Sequence, residues 1–88
     1  MLRMPLAPRW SAVMTITPAQ CRAARRLLGL SREDVAAAVD VLAVKLIAFE
    51  IGMLGLGKPE QTNLRKAFEL AGIEFDPAGG VKLKDHAA

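Results

Sequence analysis

The stretch Val35–Glu50, VAAAVDVLAVKLIAFE, decides the fold. Val35, Ala36 and Val39 recur at helical spacing and form one inner face, and Leu46 and Phe49 resume that spacing further on. Between the two sets Asp40 breaks the pattern. A tight turn there needs a residue that tolerates positive φ, which Asp does moderately well and Gly better. The stretch reads as two short helices, about 32–39 and 43–51, meeting at a corner. The second is unusual. Its cap position is Leu42, which offers no side-chain acceptor, and losing a cap typically costs about 0.5–2 kcal/mol. Its outward positions are Leu, Ala, Val and Ile, and a helix apolar on all sides is usually buried on all sides.

Working outward, Ser31 caps the first of these helices, with Asp34 three residues on as in a capping box. Leu30 with Val35, and Val41 with Leu46, stand where hydrophobic staples form. Upstream, Thr17-Pro18 opens a helix over about 18–28, stapled by Ile16 and Cys21 and ended by Gly29. Cys21, Ala24 and Leu28 face inward, while Arg22 and Arg26 fall elsewhere on the wheel. Downstream, Gly52, Gly55, Gly57 and Pro59 mark a loop that is unusually apolar, because Met53, Leu54 and Leu56 lie within it. A further helix is expected over about 59–71, with Leu64, Ala67, Phe68 and Ala71 as its inner stripe and Gly72 as its stop. Ile73-Glu74-Phe75 and Val81-Lys82-Leu83-Lys84 then alternate around Asp76–Gly80, giving a hairpin over about 73–84. Such a hairpin needs helices or another chain to pack on. The expectation is an all-α domain at 15–84, four helices with a short C-terminal β-hairpin. Residues 1–14 read as a flexible arm, with Met14 an equally good start, and 85–88 as a tail.

Eighty-eight residues at 52% hydrophobic content fit one small domain with a packed core and some apolar surface left over. No run reaches the ~20 apolar residues a membrane helix needs. Pro5 and Pro8 interrupt the place of an export signal, so the cytoplasm is the expected compartment. The single cysteine, Cys21, excludes a disulfide framework and a CxxC metal motif, and reads as a small buried hydrophobe. The one histidine, His86, sits in the tail, leaving that thiol no activating base. Neither an enzyme nor a cofactor or metal is expected. The net charge of +3 is unevenly placed. Arg3, Arg9, Arg22, Arg25 and Arg26 precede any acid, whereas later residues are slightly acidic. A basic end suits phosphate contact, and Arg3, Arg9 and Trp10 could reach a groove. A solvated arm and helix face explain it equally well.

From Thr17 to about Pro59 the chain resembles the lambda-repressor-like, Cro-type helix-turn-helix proteins of the XRE family. The matching residues are Arg25, Gly29-Leu30-Ser31, Val35-Ala36, Val41, Leu46, Phe49-Glu50 and Gly52, and the trailing LRKAFELAGIEF with its hairpin is similar to small bacterial members. The resemblance implies a structural salt bridge between Arg25 and Glu50. An unpaired carboxylate beside inward-facing Phe49 would be costly to bury, which agrees. It also implies a phosphate clamp at the start of the second helix and base reading from the outer face of the third. On this chain the clamp falls at Arg32 and the reading positions at Leu42, Ala43, Val44, Lys45 and Ala48, with Lys58 beyond. Base discrimination normally uses Arg, Lys, Asn or Gln, and of these only Lys45 is present; the apolar residues could touch only thymine methyl groups.

Two functions compete. One is a small transcriptional regulator that binds double-stranded DNA weakly, or with a partner. The other is a protein-interaction module, an antiactivator or dimerising accessory factor, that docks another regulatory protein or a second copy. Its surface would be Leu42, Val44, Ile47, Ile51, Met53, Leu54 and Leu56, unless the loop folds back over them.

Overall fold

A computed structural model describes residues 15–84; the expected arm at 1–14 and tail at 85–88 lie outside the described residues. The element order is α1 (Pro18–Leu28), α2 (Arg32–Ala38), α3 (Ala43–Glu50), α4 (Lys58–Leu70), β1 (Ile73–Phe75) and β2 (Val81–Leu83). Each sequence boundary is met to within a residue or so, the scatter expected at frayed helix ends.

Local chemistry explains where the helices start. Thr17 Oγ1 accepts from the Gln20 amide at 3.0 Å while the Gln20 side chain accepts from the Thr17 amide at 2.9 Å. Ser31 and Asp34 do the same for α2, at 3.0 and 3.2 Å. Glu60 reaches back to the Gly57 amide at 3.1 Å and starts α4. Only α3 begins without a side-chain acceptor, at Leu42.

The first three helices end in one way. Each closes on a left-handed residue: Gly29, the cap of α1, at φ 70°, and Asp40 and Gly52, which follow the caps of α2 and α3, at φ 58° and φ 81°. Its amide and the next return to carbonyls of the last turn, as in Leu30 to Arg25, Val41 to Ala36 and Met53 to Ala48. This is the Schellman arrangement, which reverses the chain within two residues. Asp40 is therefore the tight corner between α2 and α3.

The core gathers Ile16, Cys21, Ala24, Val35, Ala36, Leu46, Phe49, Leu56, Leu64, Phe68, Ile73 and Phe75. Helix α1 is central: it packs on α3, α4 and β2, while α2 lies on α3 and α4 supports β1. The two strands pair antiparallel with Glu74 opposite Lys82. Phe68 meets Phe75 edge to face at 6.5 Å, which answers the hairpin's need for a helix to pack on.

Three burial assignments from the sequence need correction. Leu56 is buried at 6% exposure instead of lying on an outer patch. It sits just before the Gly57 cap, and Gln61 Nε2 holds its carbonyl at 2.8 Å, which turns the loop inward. Ala71 is exposed because it caps α4 instead of continuing its inner stripe. Leu30 stays exposed, so the staple expected with Val35 contributes little.

Candidate functional site

Glu50, at the last turn of α3, has no exposed surface. Its carboxylate has about four acceptor positions, and four donors converge on them. Arg25 Nε and Cys21 Sγ donate to Oε2 at 3.0 and 3.2 Å. Arg25 Nη2 and Arg32 Nε donate to Oε1, both at 3.1 Å. Arg25 thus makes the two-pronged contact that suits a planar guanidinium. Arg22 Nη1 donates to the Glu50 backbone carbonyl, meeting a carbonyl at the α3 C-terminus where a cation is favoured. One residue thereby ties α1, α2 and α3 together.

The electrostatics follow. Burial alone would push the Glu50 carboxyl up, but hydrogen bonds from Arg25, Cys21 and Arg32 outweigh it and hold the group below the usual carboxylate range. The hydrogen bond to Glu50 raises Arg25 further above its ordinary value. Burial, then the hydrogen bond to Glu50, pushes the Cys21 thiol far up. Cys21 is more than the small hydrophobe its sequence context suggests: it is a donor in the lock, and a thiol held protonated is a poor nucleophile.

The expected salt bridge between Arg25 and Glu50 is present. Arg32 is drawn partly inward to the same carboxylate, although its side chain remains about a third exposed. Sequence reasoning did not find the roles of Cys21, Arg22 and Arg32 at Glu50. The spacing of Cys21 and Arg25, one helical turn apart on α1, was the available signal for the first.

On the outer side of the α2–α3 pair, the candidate base-reading positions carry little polarity. Leu42 and Val44 are 72% and 68% exposed, while Ala43 and Ala48 are half-buried. Lys45 Nζ donates to Glu60 Oε2 at 2.8 Å, joining α3 to the start of α4. That contact and the backbone hydrogen bond from Gly57 lower the Glu60 carboxyl. Lys58 is exposed in the first turn of α4.

Of the candidate partner-binding residues, Leu42, Val44, Ile51, Met53 and Leu54 are exposed, Ile47 is half-buried, and Leu56 belongs to the core. The apolar loop therefore covers none of the first five. No model of a known protein family matches the chain, and no curated protein matches it. No helix among the described residues is long and apolar enough to cross a membrane.

Proposed function

We propose that this chain is a small transcription-control protein on a lambda-repressor-like helix-turn-helix scaffold, binding duplex DNA weakly through α2 and α3. The observation that carries the reading is the Glu50 lock, which holds α3 at a set angle to α1 and α2 through Arg25 and Arg32. A reading unit needs that rigidity, because base contacts tolerate little misplacement. In this proposal Arg32 keeps its Nε on Glu50 and offers the outer guanidinium nitrogens to a phosphate, with Lys58 as a second phosphate contact. Lys45 exchanges Glu60 for a base edge, and Ala43, Val44 and Ala48 lie against thymine methyl groups. With so few polar contacts, most of the affinity is electrostatic, and shape or a partner supplies the specificity.

A mobility-shift titration of random duplex DNA from low to physiological salt tests this. Binding that weakens steeply with salt, and whose salt slope falls when Lys58 or Arg32 is replaced by Ala, is the expected result. Absence of binding at the lowest salt rejects the reading.

A specific observation favours a second reading, that of a protein-docking module on the same scaffold. The outer α3 surface exposes Leu42, Val44, Ile51, Met53 and Leu54, while its one cation is already engaged by Glu60. Exposed apolar clusters of this kind mark interaction surfaces. If α3 docks on protein, Ile51→Asp abolishes the chain's effect on reporter transcription in cells while leaving low-salt DNA binding intact. An unchanged reporter response rejects this second reading.

A further inference from the structure

We propose that the free edge of β2 accepts a third strand, an extended segment of another protein in which apolar residues alternate with acidic ones. The hairpin has two edges, and only one is open. The Lys84 and Asp76 amides donate across it to the Gly72 and Gly80 carbonyls. Bonded and unbonded pairs alternate in an antiparallel ladder, so Ile73, Phe75, Val81 and Leu83 turn their N–H and C=O groups away from the partner strand. Ile73 and Phe75 are buried, at 1% and 8% exposure, which closes the β1 edge. Val81 is half-buried and Leu83 is 49% exposed, and no other described backbone segment pairs with them. Such an edge is a template for a further strand.

Beside that edge runs a trough of about 340 Å³, between Ala19, Gln20 and Ala23 of α1 and Gly79, Gly80 and Val81 at the start of β2. Its volume lies within the range of ligand-binding clefts. Side chains alternate between the faces of a strand. Val81 and Leu83 therefore share the core side with Ile73 and Phe75, while Lys82 stands opposite Glu74 on the outer face. An added strand repeats that alternation. Every second side chain enters the trough, and the others lie beside Lys82 and Lys84.

Charge selects the occupant. Helix α1 and residues 81–84 carry Arg22, Arg25, Arg26, Lys82 and Lys84, and no acid. Arg22 and Arg25 are committed to Glu50, and Lys82 reaches Glu74 only at 3.8 Å, with both side chains largely exposed. Arg26 and Lys84 are exposed. Glu74 and Asp76 lie a strand away from the free edge. Carboxylates at alternate positions of an added strand thus meet cations, and opposite charges side by side across a ladder stabilise it. A second copy does not fit. Edge-to-edge pairing about a two-fold axis sets Lys82 and Lys84 against their own equivalents, and lysines on an edge strand oppose such self-pairing. The chain's own residues 1–14 carry Arg3 and Arg9 without an acid, and Pro5 and Pro8 lack the amides a ladder needs. The inference is independent of the DNA reading, because β2 belongs to neither α2 nor α3.

Amide NMR of the full chain, titrated with a short end-blocked peptide that alternates Val with Glu, tests the proposal. The Val81 and Leu83 amides should move most, with Ala19 and Ala23 following, and amide exchange in β2 should slow at saturation. Lys84→Glu weakens binding about fivefold or more, the scale of one exposed ion pair, whereas Lys84→Arg retains it. Ala19→Glu, which places a carboxylate in the trough, weakens it likewise. Both positions are exposed, and circular dichroism verifies that the variants stay folded. The same peptide with Lys in place of Glu, or with its amides N-methylated, should not bind. No movement in β2 at millimolar peptide overturns the proposal, as does equal binding of either control peptide. In the free chain, slow exchange at Val81 and Leu83 that persists on dilution assigns the edge to residues 1–14. Slow exchange that vanishes on dilution assigns it to a second copy. Either result overturns the proposal.

Discussion

Removing the Glu50 carboxylate strands two guanidinium groups, those of Arg25 and Arg32. In Glu50→Gln the shape is kept, but Arg25 and Arg32 face a neutral amide that cannot fill the same four positions. Breaking a buried pair typically costs 3–5 kcal/mol; with both arginines partly exposed, about 2–4 kcal/mol is expected in urea unfolding. The pH dependence has a definite sign. The folded carboxyl lies below its unfolded value of about 4.3, so its contribution is complete above that pH and is lost as pH falls through the lower folded value. Unfolding free energies measured from pH 7 to pH 2 should fall in that acid window, with a smaller slope in Glu50→Gln. The same site protects Cys21, which has no exposed surface and a thiol pushed far up by burial and by Glu50. Labelling of Cys21 by a thiol reagent at neutral pH should proceed only through opening of the fold, at a rate that rises in Glu50→Gln. Fast labelling of the native chain would contradict the lock.

At the scale of elements, α3 is the anomaly. It is eight residues long, lacks a capping side chain and buries Leu46, Phe49 and Glu50. Helices this short are marginal alone, so tertiary contacts must hold it. Leu42 already has extended backbone angles suited to a capping residue and is largely exposed, so nothing is lost from the core by replacing it. Leu42→Ser should stabilise the chain by about 0.5–1.5 kcal/mol, read as a rise in the thermal midpoint of several degrees. A drop would mean that Leu42 is covered by something in solution. The corner before α3 was legible because Asp40 is one of the few residues that enter the left-handed region readily. The loop after α3 was less so. Its apolar residues have no period, and only Gly57 followed by Glu60 three residues on hinted that Leu56 stands at the inward position before a cap.

Across the whole molecule, Arg65 joins parts that are far apart in the chain. From α4 it donates to the Thr15 carbonyl at 2.9 Å, contacts Glu69 at 3.3 Å and lies over the Phe75 ring at 4.4 Å. The start of α1 and the hairpin are thus fastened to one buried cation. Arg65→Met keeps the apolar stem but loses the hydrogen bonds and the cation–π contact, at a cost of about 1–3 kcal/mol. Hydrogen exchange should report faster opening at Ile16 and in β1–β2 than at Leu46 in α3. Uniform acceleration would show instead that Arg65 serves the fold as a whole.

Sequence alone determined the helix limits, the caps at Thr17 and Ser31, the corner at Asp40 and the hairpin, all of which depend on local spacing. The pairing of Arg25 with Glu50 was implied by the family resemblance, and the cost of burying an unpaired carboxylate agreed with it. Tertiary structure alone decided that Cys21 and Arg32 complete the ring of donors around that carboxylate, that Lys45 is taken by Glu60, and that Leu56 enters the core while Met53 and Leu54 do not. The physical reason is that each depends on distances between separate elements, and no pattern along the chain encodes which side chains meet once helices have packed.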